Sequence, residues 1–424
     1  MLPLASWVVL ILARLPFFWI VWKNPAICLA ADSSGYLQSA RNLAQHAAFS
    51  ESVTSPWIPS TFRVPAYPVF LSFFTTVFND PVPWIASSQI MLSLLTVVIL
   101  SHWLRALGSP RQSALVATLI GLDLASLIQM PLILTETFFS FTLALAVWGT
   151  WKALQESSSL KAFLCGGLWS LSLMTRPIAF YFPPVVALIW LRNRKYLLCF
   201  LLGAYFLPGL WILRNWKVTG HAVYSTQGGV ELLRCPGAAV ESLRTGVPWS
   251  IVWPRMQEDL NQQFPDNGLF AYERSQVASR MAMGILTHHP FLLMRHCLLG
   301  TIKTLAASSF ITPVRWWNPS FEQDTNFQSN PRVSQNLNLF RQFPVLIPLQ
   351  IAYAIYLLFF YVYWVKGLHR LWTSGRKQEA WLLFAGVVYF IVLASVEGQS
   401  RYRIPIMPFL AGTAVAGLAP RREE

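Results

Sequence analysis

The sequence predicts an all-α, polytopic membrane protein of about ten or more transmembrane helices, with interfacial helices in its outer loops. Three observations carry this. Of 424 residues, 54% are hydrophobic and 12% are charged, against about 25% charged in a soluble domain. The mean hydropathy is +0.46. Many windows of about twenty residues are nearly free of charge, enough for a helix to cross about 30 Å of hydrocarbon. The 19 Trp and 13 Tyr suit rings at the two membrane interfaces.

Taken in order, the apolar segments are 4–21, 84–104, 113–130, 131–151, 160–175, 177–191, 196–213, 343–365, 378–396 and 404–419, with 66–78 and 290–312 ambiguous. The first could be misread as a signal peptide, because Cys28-Leu29-Ala30-Ala31 resembles a cleavage site. No basic region precedes it, however, Arg14 interrupts it and Lys23 follows it, so an uncleaved first span is expected. Arg105 with Arg111, Lys152 with Lys161, Arg192 to Lys195, and Lys366 to Lys377 fall in short connections. If these are cytoplasmic, 22–83, 214–342 and 397–403 are outside. That parity requires 290–312 not to cross, and its His288-His289-Pro290 start with Arg295 and Lys303 suits an interfacial or re-entrant helix. The chain thus divides into a membrane module over 1–213 that includes the first outer loop, an outer region over 214–342, and C-terminal membrane helices over 343–424.

The formal net charge of +14 does not point to nucleic acid. The basic residues cluster in short loops rather than alternating with stacking aromatics on a soluble domain. The five cysteines are scattered, without a CxxC pair; most read as small buried hydrophobes, and nothing in the sequence pairs Cys28 with Cys235, the two that could face the oxidising side. There is no internal repeat and no matched pair of Gly/Pro-broken spans, which weighs against a carrier built from repeats. Polar mass gathers on one predicted face, as suits an enzyme working at the outer leaflet.

The first outer loop carries Asp32-Ser33-Ser34-Gly35-Tyr36, then Ala40-Arg41-Asn42-Leu43, then Phe62-Arg63-Val64-Pro65-Ala66-Tyr67-Pro68. Tyr36, Leu37, Ala40, Leu43 and Ala44 have helical spacing, so a short amphipathic helix is expected with Asp32 or Ser33 as its N-cap. Asp32 reads either as that cap or as a general base, since a carboxylate commonly takes the proton of an attacking hydroxyl or amine. Arg63 reads as an interfacial snorkelling residue or as a guanidinium beside a phosphate. Glu136 follows Pro131 near the start of a span, where an ionisable group suits a functional site, although a capping role also fits. Asp123, in the preceding span, is a weaker candidate. Arg176, Arg214, Arg401 and Arg403 all fall on the predicted outer side, against the positive-inside bias, and a lipid phosphate bound among them would account for the cost.

The histidines have no metal spacing, and Gly228-Gly229 is a turn rather than a phosphate loop. No GxSxG, SxxK or metal-spaced Cys/His set occurs, so soluble hydrolase or kinase chemistry is unsupported.

The first outer loop, together with Leu134-Thr135-Glu136-Thr137, Leu173-Met174-Thr175-Arg176-Pro177, Arg214-Asn215-Trp216 and Arg401-Tyr402-Arg403-Ile404-Pro405, resembles the recurring segments of bacterial GT-C glycosyltransferases. The nearest in kind are the protein O-mannosyltransferases and lipid A aminoarabinose transferases, and the segments follow their order over most of the chain. The resemblance implies transfer of a sugar from a polyprenyl-phosphate carrier to a lipid, glycan or protein acceptor, at the extracytoplasmic side of a bacterial plasma membrane. It implies Asp32 and Glu136 as the acidic pair and Arg63, Tyr67, Arg176, Arg214, Arg401 and Arg403 as substrate contacts. A divalent metal is possible in such enzymes, but Ser33 stands where many members follow the aspartate with glutamate. A polysaccharide polymerase or ligase using outer-loop arginines, and a lipid-linked flippase or transporter, are the alternatives.

Cysteine-accessibility labelling checks the predicted topology. Single cysteines within 22–83 and 214–342 should label from outside the cell, and those at 192–195 and 366–377 only after permeabilisation. Cytoplasmic labelling of 313–342 would instead make 290–312 a crossing.

Overall fold

The computed structural model describes residues 2–156, 158–264, 268, 270–317 and 340–419. Every regular element among them is helical. The first apolar run forms α1 (Leu4–Leu12) and α2 (Leu15–Lys23), interrupted at Ala13-Arg14. Pro16 lacks an N–H and its ring crowds the carbonyl four residues earlier, so the break falls there. At the break Arg14 turns inward. Its Nε donates to Ser93 Oγ at 2.9 Å, and its terminal nitrogens donate to the Leu10 and Gly121 carbonyls at 3.0 Å.

There follow α3 (Ser33–His46), α4 (Ala66–Val77), α5 (Val82–Leu104), α6 (Pro110–Gly121), α7 (Leu124–Gln129), α8 (Thr135–Gln155), α9 (Ser159–Leu173), α10 (Phe182–Ala187) and α11 (Arg194–Thr219). The amphipathic helix expected after Asp32 is α3. The single helix expected over 113–130 is two, because Asp123 Oδ2 accepts from the Ser126 N–H and hydroxyl, each at 2.8 Å, and starts α7 afresh. The segment 177–191 is also broken into a 3₁₀ turn, α10 and a second 3₁₀ turn, since Pro183 and Pro184 remove adjacent donors.

Among the described residues, five helical stretches are long and apolar enough to cross a membrane: Leu4–Lys23 (α1 and α2 taken together), Val82–Leu104, Arg194–Thr219, Leu346–Thr373 and Lys377–Ala394. Ala66–Val77, Ser159–Leu173 and Pro177–Trp190 are shorter apolar pieces. The last apolar segment opens with a 3₁₀ stretch, Ser400–Ile406, and continues as Met407–Leu418. That helix is apolar all round and buried from Met407 to Gly417, as such a helix must be.

Two compact units emerge. One comprises Met1–Ser225, Phe359–Phe390 and Ile404–Glu424; the other comprises Thr226–Leu358 and Ile391–Arg403. The second contains α12 (Gln227–Leu232), a π-helical turn at Leu233–Gly237, α13 (Ala238–Thr245), α14 (Trp249–Gln263), α15 (Ala271–His288), α16 (Pro290–Ala306) and α17 (Ile311–Trp317). Leu233, Val240, Leu260, Ala278, Ala282 and Leu286 form its core. The ambiguous segment 290–312 supplies α16, which exposes Phe291, Met294, Leu298, Leu299 and Ile302 along one stripe. Residues 318–339 of the expected outer region lie outside the described residues.

In the first unit, α11 exposes Leu198, Leu202, Phe206, Leu210 and Leu213 at helical spacing, while α9 packs on its other side. Backbones meet where Gly166 faces Gly203: a Cβ on Gly166 would strike the Phe200 carbonyl, and one on Gly203 the Phe163 carbonyl. Small residues permit this close approach between membrane helices. Gly203→Ala should therefore cost about 1–3 kcal/mol of stability, the usual price of overpacking, read as a lower melting temperature in detergent. Gly167→Ala, whose Cβ would meet nothing within 4 Å, should leave it nearly unchanged.

Candidate functional site

Five remote segments of the first unit are stitched into two groups by hydrogen bonds to backbone carbonyls. The Ser33 hydroxyl donates to the Ile133 carbonyl at 2.9 Å, and the Ile133 N–H donates to the Cys28 carbonyl at 2.8 Å. These bonds hold the start of α3, with Asp32, against the turn that opens α8, with Glu136. On the other side the Ala66 N–H donates to the Met174 carbonyl at 2.9 Å. The Ser225 hydroxyl donates to the Phe62 carbonyl, and the Tyr224 hydroxyl to the Leu173 carbonyl, each at 2.6 Å. The turn carrying Arg63 is thereby fixed to the turn carrying Arg176.

The charges within this frame are paired. Arg63 Nη2 lies 3.8 Å from Asp32 Oδ1, and its Nε lies 3.4 Å from Glu51 Oε2. The guanidinium covers the Tyr36 ring at 3.9 Å from its centroid, a cation–π geometry. The Arg63 side chain is 8% exposed and that of Asp32 55%, so the base candidate is open while its partner is enclosed. Arg176 Nη1 lies 3.2 Å from Glu136 Oε1, and the Glu136 side chain is 3% exposed. Tyr36 feels the charges of Arg63, Arg176, Glu136 and Asp32; burial, the largest influence, raises its hydroxyl pKa and keeps it neutral. Burial alone would lower the pKa of Arg63, but Tyr36, Glu51 and Asp32 outweigh it and hold the guanidinium charged.

The sequence candidates thus divide. Asp32, Arg63, Glu136 and Arg176 come together. Asp32 heads α3 without a side-chain capping bond, whereas Asp123 does cap α7. Tyr67 is fully buried, and its hydroxyl donates to Gln89 Oε1 at 2.7 Å. Gln89 in turn donates to the Met130 and Leu132 carbonyls at 3.1 and 2.7 Å, so Tyr67 is tied into the core, with its ring edge-on to Tyr36 at 5.1 Å. Arg214 donates to the Ser60 and Phe49 carbonyls at 2.9 and 3.3 Å and holds the loop between them.

Arg401 and Arg403 belong to the second unit. Arg403 is buried, and its Nη1 donates to the Thr304, Leu305 and Ala307 carbonyls at 2.7, 3.2 and 3.0 Å. Its Nη2 donates to the Tyr353 hydroxyl at 2.6 Å. It caps the C-terminus of α16, where orphan carbonyls and the negative end of the dipole favour a cation. Arg401 Nη2 donates to the Tyr402 hydroxyl at 3.0 Å.

Glu231, Cys235 and Glu397 have ligand atoms within 4.8 Å of one another. Arg234 already donates to Glu231 Oε2 at 2.8 and 2.6 Å and lies 3.6 Å from Glu397 Oε1. The Arg234 guanidinium already pairs with both carboxylates, so this set does not fit a metal. In the first unit, Asp32, Glu51 and Glu136 likewise face arginines.

Sequence reasoning missed Glu51 and Tyr36. Glu51 lies in a Ser-rich loop without periodicity, and Tyr36 reads simply as the apolar face of α3. Only the contact with Arg63 distinguishes them.

No family model and no curated protein matches the chain. Among solved structures it is similar to ArnT from Cupriavidus metallidurans. The apo form is 12% identical over 97% of this chain and 78% of that one, with a TM-score of 0.40. The form bound to undecaprenyl phosphate is 11% identical over 98% and 78%, with a TM-score of 0.42.

Removing one partner of a buried ion pair leaves the other charge uncompensated, at about 3–5 kcal/mol. Arg176→Ala should therefore destabilise the protein strongly, and adding Glu136→Gln should restore part of the loss, read by thermal unfolding in detergent. A double variant no more stable than Arg176→Ala would remove the pair as a source of stability.

Proposed function

We propose that the protein is a membrane glycosyltransferase of the GT-C type, moving a sugar from a polyprenyl-phosphate carrier to an extracytoplasmic lipid, glycan or protein acceptor. One observation carries the reading. Four segments that resemble this class, around Asp32, Arg63, Glu136 and Arg176, lie up to 144 residues apart in sequence (176 − 32). They nevertheless converge near Tyr36 as two acid–base pairs, Arg63 with Asp32 and Arg176 with Glu136. Three of these charges, Arg63, Glu136 and Arg176, are largely enclosed in an otherwise apolar protein, which is costly and suits a site for charged substrate groups.

In this reading Asp32, the exposed carboxylate, takes the proton from the acceptor hydroxyl or amine. The freed electron pair forms the bond to the sugar's anomeric carbon, and the bond from that carbon to the carrier's phosphate oxygen breaks. The electron pair leaves on that oxygen, releasing polyprenyl monophosphate. Arg63, 3.8 Å from Asp32, meets the charge that develops on the phosphate, where a guanidinium stabilises the transition state more than the ground state. Glu136 and Arg176 form the buried wall beside them.

Asp32→Asn keeps the size of the side chain, and the native aspartate makes no side-chain cap bond, so folding should persist. Transfer from a radiolabelled polyprenyl-phosphate sugar should fall by about 100- to 10,000-fold, the usual contribution of a general base. Near-normal turnover by the purified variant would remove Asp32 from this role.

A further inference from the structure

We infer that Glu51 is a positioning residue for Arg63: it anchors the Nε edge of the guanidinium so that the terminal nitrogens face the carrier's phosphate and Asp32 stays open to the acceptor. This rests on the reading of Asp32 and Arg63 given above.

Glu51 Oε2 is 3.4 Å from Arg63 Nε, closer than Asp32 is to Nη2 at 3.8 Å. The other carboxylate oxygen accepts from the Ser60 hydroxyl at 3.1 Å. The backbone on both sides of Glu51 is pinned from α3, because Asn42 Nδ2 donates to the Ser50 and Ser52 carbonyls, each at 2.8 Å. The Ser60 N–H donates to the Phe49 carbonyl at 2.9 Å, and Arg214 binds the carbonyls of both residues. Gly35 completes the cradle: a Cβ there would lie 2.7 Å from both Arg63 Nη2 and Glu51 Oε2. Side chains from α3, α11 and the loop itself thus converge on the placing of one carboxylate, which is 30% exposed.

The charged and titratable groups facing Arg63 are Glu51, Asp32 and Tyr36, with Glu136 and Arg176 beyond Tyr36. A carboxylate at Nε also offsets part of the positive charge that a phosphate would seek. Holding the guanidinium in place is therefore separable from supplying charge, and the two give opposite results in the isosteric amide.

The test uses the full-length protein in detergent, with turnover measured beside equilibrium binding of a polyprenyl monophosphate. Glu51→Gln still accepts from Arg63 Nε. It should bind the monophosphate at least as tightly as the native protein and keep turnover within about tenfold. Glu51→Ala releases the guanidinium, weakens monophosphate binding, and should lower turnover by about 100-fold, the usual cost of a misplaced group. Because it acts through Arg63, Glu51→Ala combined with Arg63→Ala should be no slower than Arg63→Ala alone. Turnover in Glu51→Gln as low as in Asp32→Asn would overturn the inference in favour of Glu51 handling the proton itself. Full additivity with Arg63→Ala would overturn it in favour of a separate task. Normal turnover by Arg63→Ala would instead sink the underlying reading of Arg63, and this role with it.

Discussion

A cation enclosed in an apolar protein has to be met by opposite charge or by oriented carbonyls, and Arg63 is where the first unit meets that demand most fully. Its guanidinium lies on the Tyr36 ring, between Asp32 and Glu51. Asp32 and Tyr36 come from one stretch of the first outer loop and Glu51 from another, so the loop can neither unravel nor slide without exposing an unmatched charge. The backbone bonds to Ile133 and Met174 extend the same fixity to the turns that carry Glu136 and Arg176.

The arginines of the first span and of the predicted outer side solve the problem in two ways. Arg63 and Arg176 are balanced by carboxylates. Arg14, Arg214 and Arg403 donate chiefly to backbone carbonyls at helix ends, breaks and loops. The second arrangement is structural: it satisfies acceptors that would otherwise be orphaned in a region with little water. The first leaves acidic and basic groups side by side, and there the exposed Asp32 stands out.

Helix breaks are equally purposeful. Where α6 gives way to α7, Asp123 supplies a new cap; between α1 and α2, the break turns Arg14 inward. At the α9–α11 crossing, by contrast, regular helix is kept and side chains are dispensed with, because Gly166 and Gly203 let the two backbones touch.

Composition and hydropathy alone determined the all-helical membrane class and most of the long apolar helices, because crossing hydrocarbon imposes length and apolarity on every span regardless of its neighbours. The helix after Asp32 was legible for a similar reason, its period being written in Tyr36, Leu37, Ala40 and Leu43. Motif order singled out Asp32, Arg63, Glu136 and Arg176 but could not say which residues they meet. Tertiary structure alone decided that Glu51 and Tyr36 join Arg63, that Tyr67 is buried against Tyr36 and Gln89, and that Arg403 caps α16. Those assignments depend on contacts across 12 residues for Glu51 and 99 for Arg403, and local sequence carries no signal for pairings made by loops folding back on one another.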